Sequence, residues 1–414
     1  MSQNLKLSYA HRKKYMSTEG EEKSYVLIEL TGAPLIDVLR SPINLSLVLD
    51  RSGSMSGKPL DYCKEACEFV VDQLTNKDIL SVVTFDGDVE TVVSPQKVTH
   101  KDLLKKHIQR IHTRGITNLS GGLIEGCQHV LKQEMDQYVN RVILLSDGIA
   151  NAGIRDPQLL LKLAEDYASA GLVISTLGVS DRFEEETLEG IADNGKGNFH
   201  YIDEVDSIPD IFSQELEELL SNVAQNIKLK INPKNGVTIT NIYGYNFQSS
   251  ENSVLIPLGD SYANEVKSLL VEYSLPPMGE GEHDIFDMEW SYVDTVNGFK
   301  ECCFSVNVPV RRTKDLNQLL LAPDTYTESK IQTTLSAVVL EQAIQFFDQG
   351  NLKEGKDMIY QHASQMKEVA ADINSPELLV ESEGLINELS NFTYSSKKRK
   401  VLNQEKYRRK KRRQ

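Results

Sequence analysis

Ile43-Asn44-Leu45-Ser46-Leu47-Val48-Leu49-Asp50-Arg51-Ser52-Gly53-Ser54 is the stretch that decides the fold of this 414-residue chain. Its first seven residues are an apolar run of the kind that fills a buried strand of a parallel sheet. The run stops at a carboxylate, and a turn with two hydroxyls follows. Open α/β sheets bind ligands in the crevice beyond the carboxyl ends of their strands, so Asp50, Ser52 and Ser54 fall where a ligand would sit. Short, hard oxygen donors on a tight loop suit a small divalent cation rather than a soft metal.

Two further segments extend the set. Gly115-Ile116-Thr117-Asn118-Leu119-Ser120-Gly121-Gly122 is rich in turn residues, leads into a helix and supplies the hydroxyl of Thr117. Arg141-Val142-Ile143-Leu144-Leu145-Ser146-Asp147-Gly148 repeats the first design, with Asp147 at the carboxyl edge of a neighbouring strand. The competing use of such residues is helix capping, and Ser56 with Pro59 in the following first turn makes a plausible cap.

D-x-S-x-S, then G-x-T, then an apolar strand ending in S-D-G resembles the von Willebrand factor A (VWA) family and its metal-ion-dependent adhesion site. The likeness runs from roughly Pro42 to Asn222 and matches at Asp50, Ser52, Ser54, Thr117 and Asp147. It implies that Ser52, Ser54 and Thr117 bind Mg2+ directly, with Mn2+ or Ca2+ as alternatives. Asp50 and Asp147 would act directly or through water, and an Asp or Glu of a protein partner would fill the remaining position. A shift of the final helix, Ile208 to Val223, would report occupancy. The resemblance further implies work inside an intracellular multiprotein complex, with an AAA+ ATPase among the partner classes. Elementary chemistry agrees. Magnesium wants six oxygens, and three neutral hydroxyls leave most of its charge open to an acidic ligand.

Enzyme readings fail on particular residues. Gly53-Ser54-Met55-Ser56-Gly57-Lys58-Pro59 lacks the first Gly of a phosphate loop, which is Ser52, and has Pro59 where Ser or Thr is needed. A D-x-D phosphatase would need a second carboxylate where Ser52 stands. No H-E-x-x-H or G-x-S-x-G occurs, and His107 and His112 are five apart, wrong for one helix face. The expectation is a binding and scaffold module, not an enzyme; metal-assisted hydrolysis would need a base beside the metal.

At this length two to four domains are expected. No segment offers the ~20 consecutive apolar residues of a membrane helix, and Met1 to Ser24 lacks the apolar core of a signal peptide. Five cysteines, an odd count, argue against a disulfide framework. Cys63 and Cys67 read as one buried helix face. A reducing compartment follows, cytoplasmic, or nuclear in a eukaryote.

Charge is uneven. The formal net is −15, yet Lys397 to Arg413 holds eleven Lys or Arg against one acid, Glu405, leaving 34 basic and 59 acidic residues elsewhere. Such a block reads as a disordered arm. Lys397, Lys398, Arg399, Lys400, Arg408, Arg409, Lys410, Lys411, Arg412 and Arg413 are its candidate contacts. They suit nucleic acid, an anionic membrane surface, or the protein's own acidic body, and Lys397 to Val401 looks like a nuclear localisation signal.

Strands and helices alternate from Pro42 onward, as a doubly wound, mostly parallel, Rossmann-like sheet requires. From Gln225 the period becomes two: Ile227, Leu229 and Ile231; Val237 and Ile239; Leu269, Val271 and Tyr273; Phe304, Val306 and Val308. This predicts an antiparallel β-sandwich. Leu5 to Leu7 and Tyr25 to Leu30 are too short to bury a core alone and should complete that sandwich, making the α/β unit an insertion. Thr325 to Gln349, Leu352 to Ala371 and Pro376 to Leu389 read as helices. The expected division is N-terminal strands 1–41, VWA domain 42–224, β-sandwich 225–322, helical segment 323–394 and disordered basic tail 395–414.

Overall fold

The computed structural model describes residues 4–35, 40–147, 150–179, 185–390 and 394–411, and only the backbone of residues 185, 388, 390, 396, 397, 407, 408, 410 and 411. A six-stranded sheet runs in the order Val89–Lys97, Ile79–Phe85, Ile43–Asp50, Val139–Ser146, Val173–Val179, Lys196–Ile202. The first of these pairs antiparallel with its neighbour, as the Asp86-Gly87-Asp88 turn predicts, and the other neighbours are parallel.

Alternate residues of the central strands feed two cores, because side chains leave a strand on alternate faces. Leu47, Leu49, Ile143 and Leu145 meet the helices Lys58–Gln73, Lys101–Gln109 and Ile208–Leu220 on one face, where Cys63 and Cys67 are fully buried core residues. Val48, Val142 and Leu144 meet Leu119–Leu131, Pro157–Ser169 and Glu185–Asn194 on the other. Leu119–Leu131 lies so close to the sheet that a Cβ at Gly122 would stand 2.4 Å from the Phe85 ring, and one at Gly126 2.3 Å from Val48 Cγ2.

The flanking β-domain is a sandwich of two sheets. Leu5–His11, Glu21–Gly32, Val266–Leu275 and Thr238–Tyr243 form one, so the N-terminal strands do complete it. The other is built on Gln248–Ser249, Val254–Tyr262, Asn222–Pro233, Gly281–Asp294 and Lys300–Thr313, with Met16–Ser17 added in parallel at its edge. The α/β unit leaves and rejoins this domain at one spot: Asn264 donates its N–H to the Gly32 carbonyl (3.0 Å) and Ala263 to the Ser221 carbonyl (2.8 Å). Two strands escape the period-two reading. Val254–Tyr262 contains Pro257 and Gly259, which interrupt it, whereas Gly281–Asp294 does carry the alternation, with Phe286, Met288, Trp290 and Tyr292 buried, and could have been picked out by it.

Helices Thr325–Asp348, Leu352–Asp372 and Pro376–Ser390 share a core that includes Phe347, Ile359, Met366 and Leu378. The segment after them corrects an expectation. It is not disordered: Ser396–Lys411 is a helix. Leu402 is buried in the helical core while Val401 packs against the α/β core, so the helix wedges between the two. Its bases find acids on the body. Arg399 meets Glu186 at 2.5 Å and Asp348 at 3.0 Å, Lys406 meets Glu189 at 3.1 Å, and Arg409 meets Glu381 at 2.5 Å. Lys400 is buried and Lys398 half-buried. The side chains of Lys397, Arg408, Lys410 and Lys411, and all of Arg412 and Arg413, lie outside the described residues.

Candidate metal centre

Three loops at the carboxyl edge of the parallel sheet build the centre. Strand Ile43–Asp50 delivers Asp50, which is fully buried. One Asp50 oxygen accepts the N–H of Ser52 (2.8 Å), which folds the turn back over the strand end, and the other accepts the hydroxyl of Ser146 (2.6 Å), tying in the neighbouring strand. Ser52 Oγ lies 3.1 Å from Ser54 Oγ, and Ser54 Oγ donates to Asp147 Oδ1 at 2.7 Å. Asp50, Ser52, Ser54 and Asp147 therefore form one hydrogen-bonded set. Ser56 does not cap the helix that follows; Gly57 occupies that position, with a φ of 81°.

Thr117 joins through its backbone. Its N–H donates to Asn151 Oδ1 (2.7 Å), and its carbonyl accepts from Asn151 and Ala152, which binds this loop to the one after Asp147. On the other side Gly53 N–H reaches the Gly115 carbonyl at 3.2 Å. Asn118 caps the next helix by accepting from Gly121 N–H at 3.0 Å. All five residues picked out by sequence are thus on adjoining loops, and Ser54 is the one most open to solvent.

Burial pushes the Asp50 carboxyl up to about 6, and the Asp147 charge adds to that, against the opposing pull of the Ser146 and Ser52 hydrogen bonds. The neighbouring cation does not offset this, because the Arg51 guanidinium is directed at Glu90 (2.5 Å) and Asp86 (3.4 Å). Two buried carboxylates and the Ser52 and Ser54 hydroxyls, with Thr117 on the adjoining loop, are hard oxygen donors of the kind a divalent cation takes. Among the described residues no group of three or more His, Cys, Asp or Glu is placed to hold a metal, so any ion here would rest mainly on hydroxyls. Sequence reading missed Ser146, Asn151 and the Arg51 contacts. Ser146 was visible as the partner of Asp147 in S-D-G; the other two depend on loops that meet only in the fold.

The family model for the von Willebrand factor type A domain matches residues 44–214, the segment that holds this sheet and all three loops. Residues 44–214 are a VWA domain. An uncharacterised Synechocystis protein is 31% identical over 271 residues, which is 63% of this chain and 63% of that protein, so the chain spans less than two thirds of that relative's length. Among solved structures, a von Willebrand factor type A protein from Catenulispora acidiphila superposes with a TM-score of 0.73 at 15% identity, over 92% of this chain and 89% of that one. The ArnB paralog VWA2 from Sulfolobus acidocaldarius gives 0.65 at 17% identity, over 99% and 98%. At such identities these two likenesses speak for the fold, and they extend beyond the VWA domain to the flanking β-domain and helices. No helix among the described residues is long and apolar enough to cross a membrane.

Proposed function

We propose that the VWA domain is a magnesium-dependent protein-capture site. Ser52, Ser54 and Thr117 would hold the ion, Asp50 and Asp147 would support it, and the ion would supply one electrophilic position for an Asp or Glu of a partner. The observation that carries this is the bonded set Asp50–Ser52–Ser54–Asp147, closed at the sheet's carboxyl edge by the Thr117 loop. Binding rather than catalysis is the reading because the phosphate-loop and phosphatase patterns break at Ser52 and Pro59. A scaffold role in a multiprotein complex fits, and AAA+ ATPases are a partner class worth testing. All five cysteines are free, which suits a reducing compartment such as the cytoplasm.

Calorimetry with Mg2+ and Mn2+ tests the site. Asp50→Ala and Thr117→Ala should each abolish binding, and Mn2+ should bind the parent more tightly than Mg2+. Unchanged metal affinity in both variants would refute the assignment. A pull-down with and without EDTA then reads partner identity and metal dependence together. The rival reading, nucleic-acid binding by the basic tail, has less support, because Arg399, Lys406 and Arg409 already pair with the protein's own acids.

A further inference from the structure

Arg51 stands between two of the proposed donors, Asp50 and Ser52, and is 3% exposed. An arginine buried beside a cation site needs a reason, since its charge opposes the ion and its desolvation is costly. Its contacts give one. Its backbone N–H donates to the Phe85 carbonyl at 2.9 Å, and its carbonyl accepts the N–H of Arg114 at 2.8 Å. Its guanidinium pairs with Glu90 on the edge strand at 2.5 Å and with Asp86 at 3.4 Å. Asp86 in turn accepts the N–H of Asn118 on its carbonyl, at 2.7 Å. The segment Arg114–Asn118, which carries Thr117, is therefore held at one end by Arg51 itself and at the other by Arg51's ion-pair partner.

We infer that the Arg51 side chain is a positioning group of the metal centre: it fixes Asp86, whose main-chain carbonyl holds the Asn118 end of the Thr117 loop while the Arg51 carbonyl holds the Arg114 end, and so helps set the reach of Thr117 toward Ser52 and Ser54. Glu90 and Asp86 complete the device by cancelling the guanidinium charge, leaving the cluster net acidic beside the cation. A planar fork is required, because one side chain must engage two carboxylates on separate elements. The inference rests on the metal reading only for its consequence. The clamp itself belongs to the metal-free protein.

Two measurements separate those parts. In the metal-free protein, amide exchange of Asn118, whose N–H rests on the Asp86 carbonyl, should rise by about ten-fold or more in Arg51→Gln, while exchange in strand Val139–Ser146 stays at the parent level. In the metal-bound protein, the Mg2+ dissociation constant should rise by roughly 10- to 100-fold, the usual cost of losing an outer-shell partner. Arg51→Lys should recover part of the loss. Glu90→Gln, which leaves the guanidinium one acid short, should weaken Mg2+ by about ten-fold through the uncancelled charge. If Arg51→Gln fails to fold, Glu90→Gln and Asp86→Asn decide: parent-like Mg2+ affinity and loop exchange in both overturn the inference. Faster loop exchange in a protein whose parent binds no Mg2+ would sink the metal reading and leave the clamp standing.

Discussion

One strand, Val139–Ser146, ends in two opposite solutions to the problem of charge. At its carboxyl end Ser146 and Asp147 belong to a hydrogen-bonded set of oxygens that reaches solvent at Ser54 and is the set proposed to hold a cation. Near its start Arg141 is buried with both terminal guanidinium nitrogens paired, its Nε left without a hydrogen-bond partner. One guanidinium nitrogen lies 3.1 Å from Ser175 Oγ and 3.3 Å from Glu215 Oε1, and the other bonds the Tyr262 hydroxyl. Glu215 also accepts from Asn198 at 2.8 Å and meets His200 at 3.0 Å. Asp260 and Tyr262 come from the sandwich, so this network joins the two domains. A binding site keeps valences open, whereas a domain junction must close them, since a buried charge is tolerated only when paired and hydrogen-bonded.

The contrast predicts separable losses, and the largest lies at the closed end. Arg141→Ala or Glu215→Ala leaves an unpaired buried charge and should cost about 3–5 kcal/mol in urea unfolding, with Mg2+ affinity unchanged in protein that still folds. Replacing both with apolar residues of similar volume should restore much of that loss. At the open end the pattern inverts: Ser54→Ala should abolish metal binding yet change stability by less than about 1 kcal/mol, as exposed sites do. A metal-binding loss in Arg141→Ala would show that the two ends are coupled along the strand. The final helix, Ile208–Leu220, bears Glu215, so any shift of that helix on ligand binding has to break this network.

Acid should expose the closed polar groups next. His11, in the sandwich, is half-buried with its ring nitrogens 2.9 Å from the Tyr273 hydroxyl and the Pro309 carbonyl, and the desolvation of its ring holds it down at about 4. The unfolded chain takes up that proton near 6.5 and the folded one does not. Stability is therefore fully present above 6.5 and falls by about 3 kcal/mol as pH drops toward 4. Glu215 acts in the same direction further down. Burial alone would raise its carboxyl, but the bonds to His200 and Arg141 outweigh burial and hold it well below the carboxylate range, so its contribution is lost as pH falls below the ordinary Glu value. Urea midpoints at pH 7, 5.5 and 4 should decline steadily, and His11→Gln should flatten the upper part of that decline. A flat parent profile would contradict both assignments.

The open end was legible in sequence because its chemistry is local. Asp50, Ser52 and Ser54 sit on one turn, and Thr117 and Asp147 each follow a recognisable loop or strand. The closed end was not. Arg141 reads as an ordinary polar start to a strand, and Glu215 as one acid of an amphipathic helix; nothing in either segment names Tyr262, which lies 121 residues on from Arg141, or Asp260. The sandwich strands show the same divide. Leu229 and Val271 announce themselves by alternation, while Val254–Tyr262 hides behind Pro257 and Gly259. The basic tail was legible as a charge that suits nucleic acid, an anionic surface or the body itself, but the acids that meet it, Glu186, Glu189 and Glu381, are brought there by the fold alone.

One substitution should breach the separation. Gly126→Ala puts a methyl 2.3 Å from Val48 Cγ2, so helix Leu119–Leu131 must lift from the sheet. Overpacking of this sort costs about 1–3 kcal/mol. Because that helix continues directly from Thr117, the displacement should also weaken Mg2+, which the Arg141 variants should not. Thermal melts and calorimetry on the same sample check both. Lost stability with parent-like Mg2+ affinity would mean that the Thr117 loop is held from its other end, by Arg51, independently of the helix.

The smallest effect concerns the C-terminal helix, where charge is paired but wet. Arg399 and Glu186 are 21% and 77% exposed, so their 2.5 Å contact is worth no more than about 1 kcal/mol and weakens with salt. Arg399→Glu should lower stability by less than that, and Glu186→Lys added to it should recover the difference at low salt and not at high salt. What holds the helix is Leu402 in the helical core, which makes Leu402→Ala the costlier change at about 2–5 kcal/mol. The same pairs decide what the bases are for. If they serve the body, the parent should pass through a DNA or heparin column at moderate salt, and Glu186→Gln with Glu189→Gln, which takes one of its two acids from Arg399 and the Glu189 contact from Lys406, should be retained more strongly. Equal and steeply salt-dependent retention of parent and variant would mean that the arm binds polyanions whether or not it is docked.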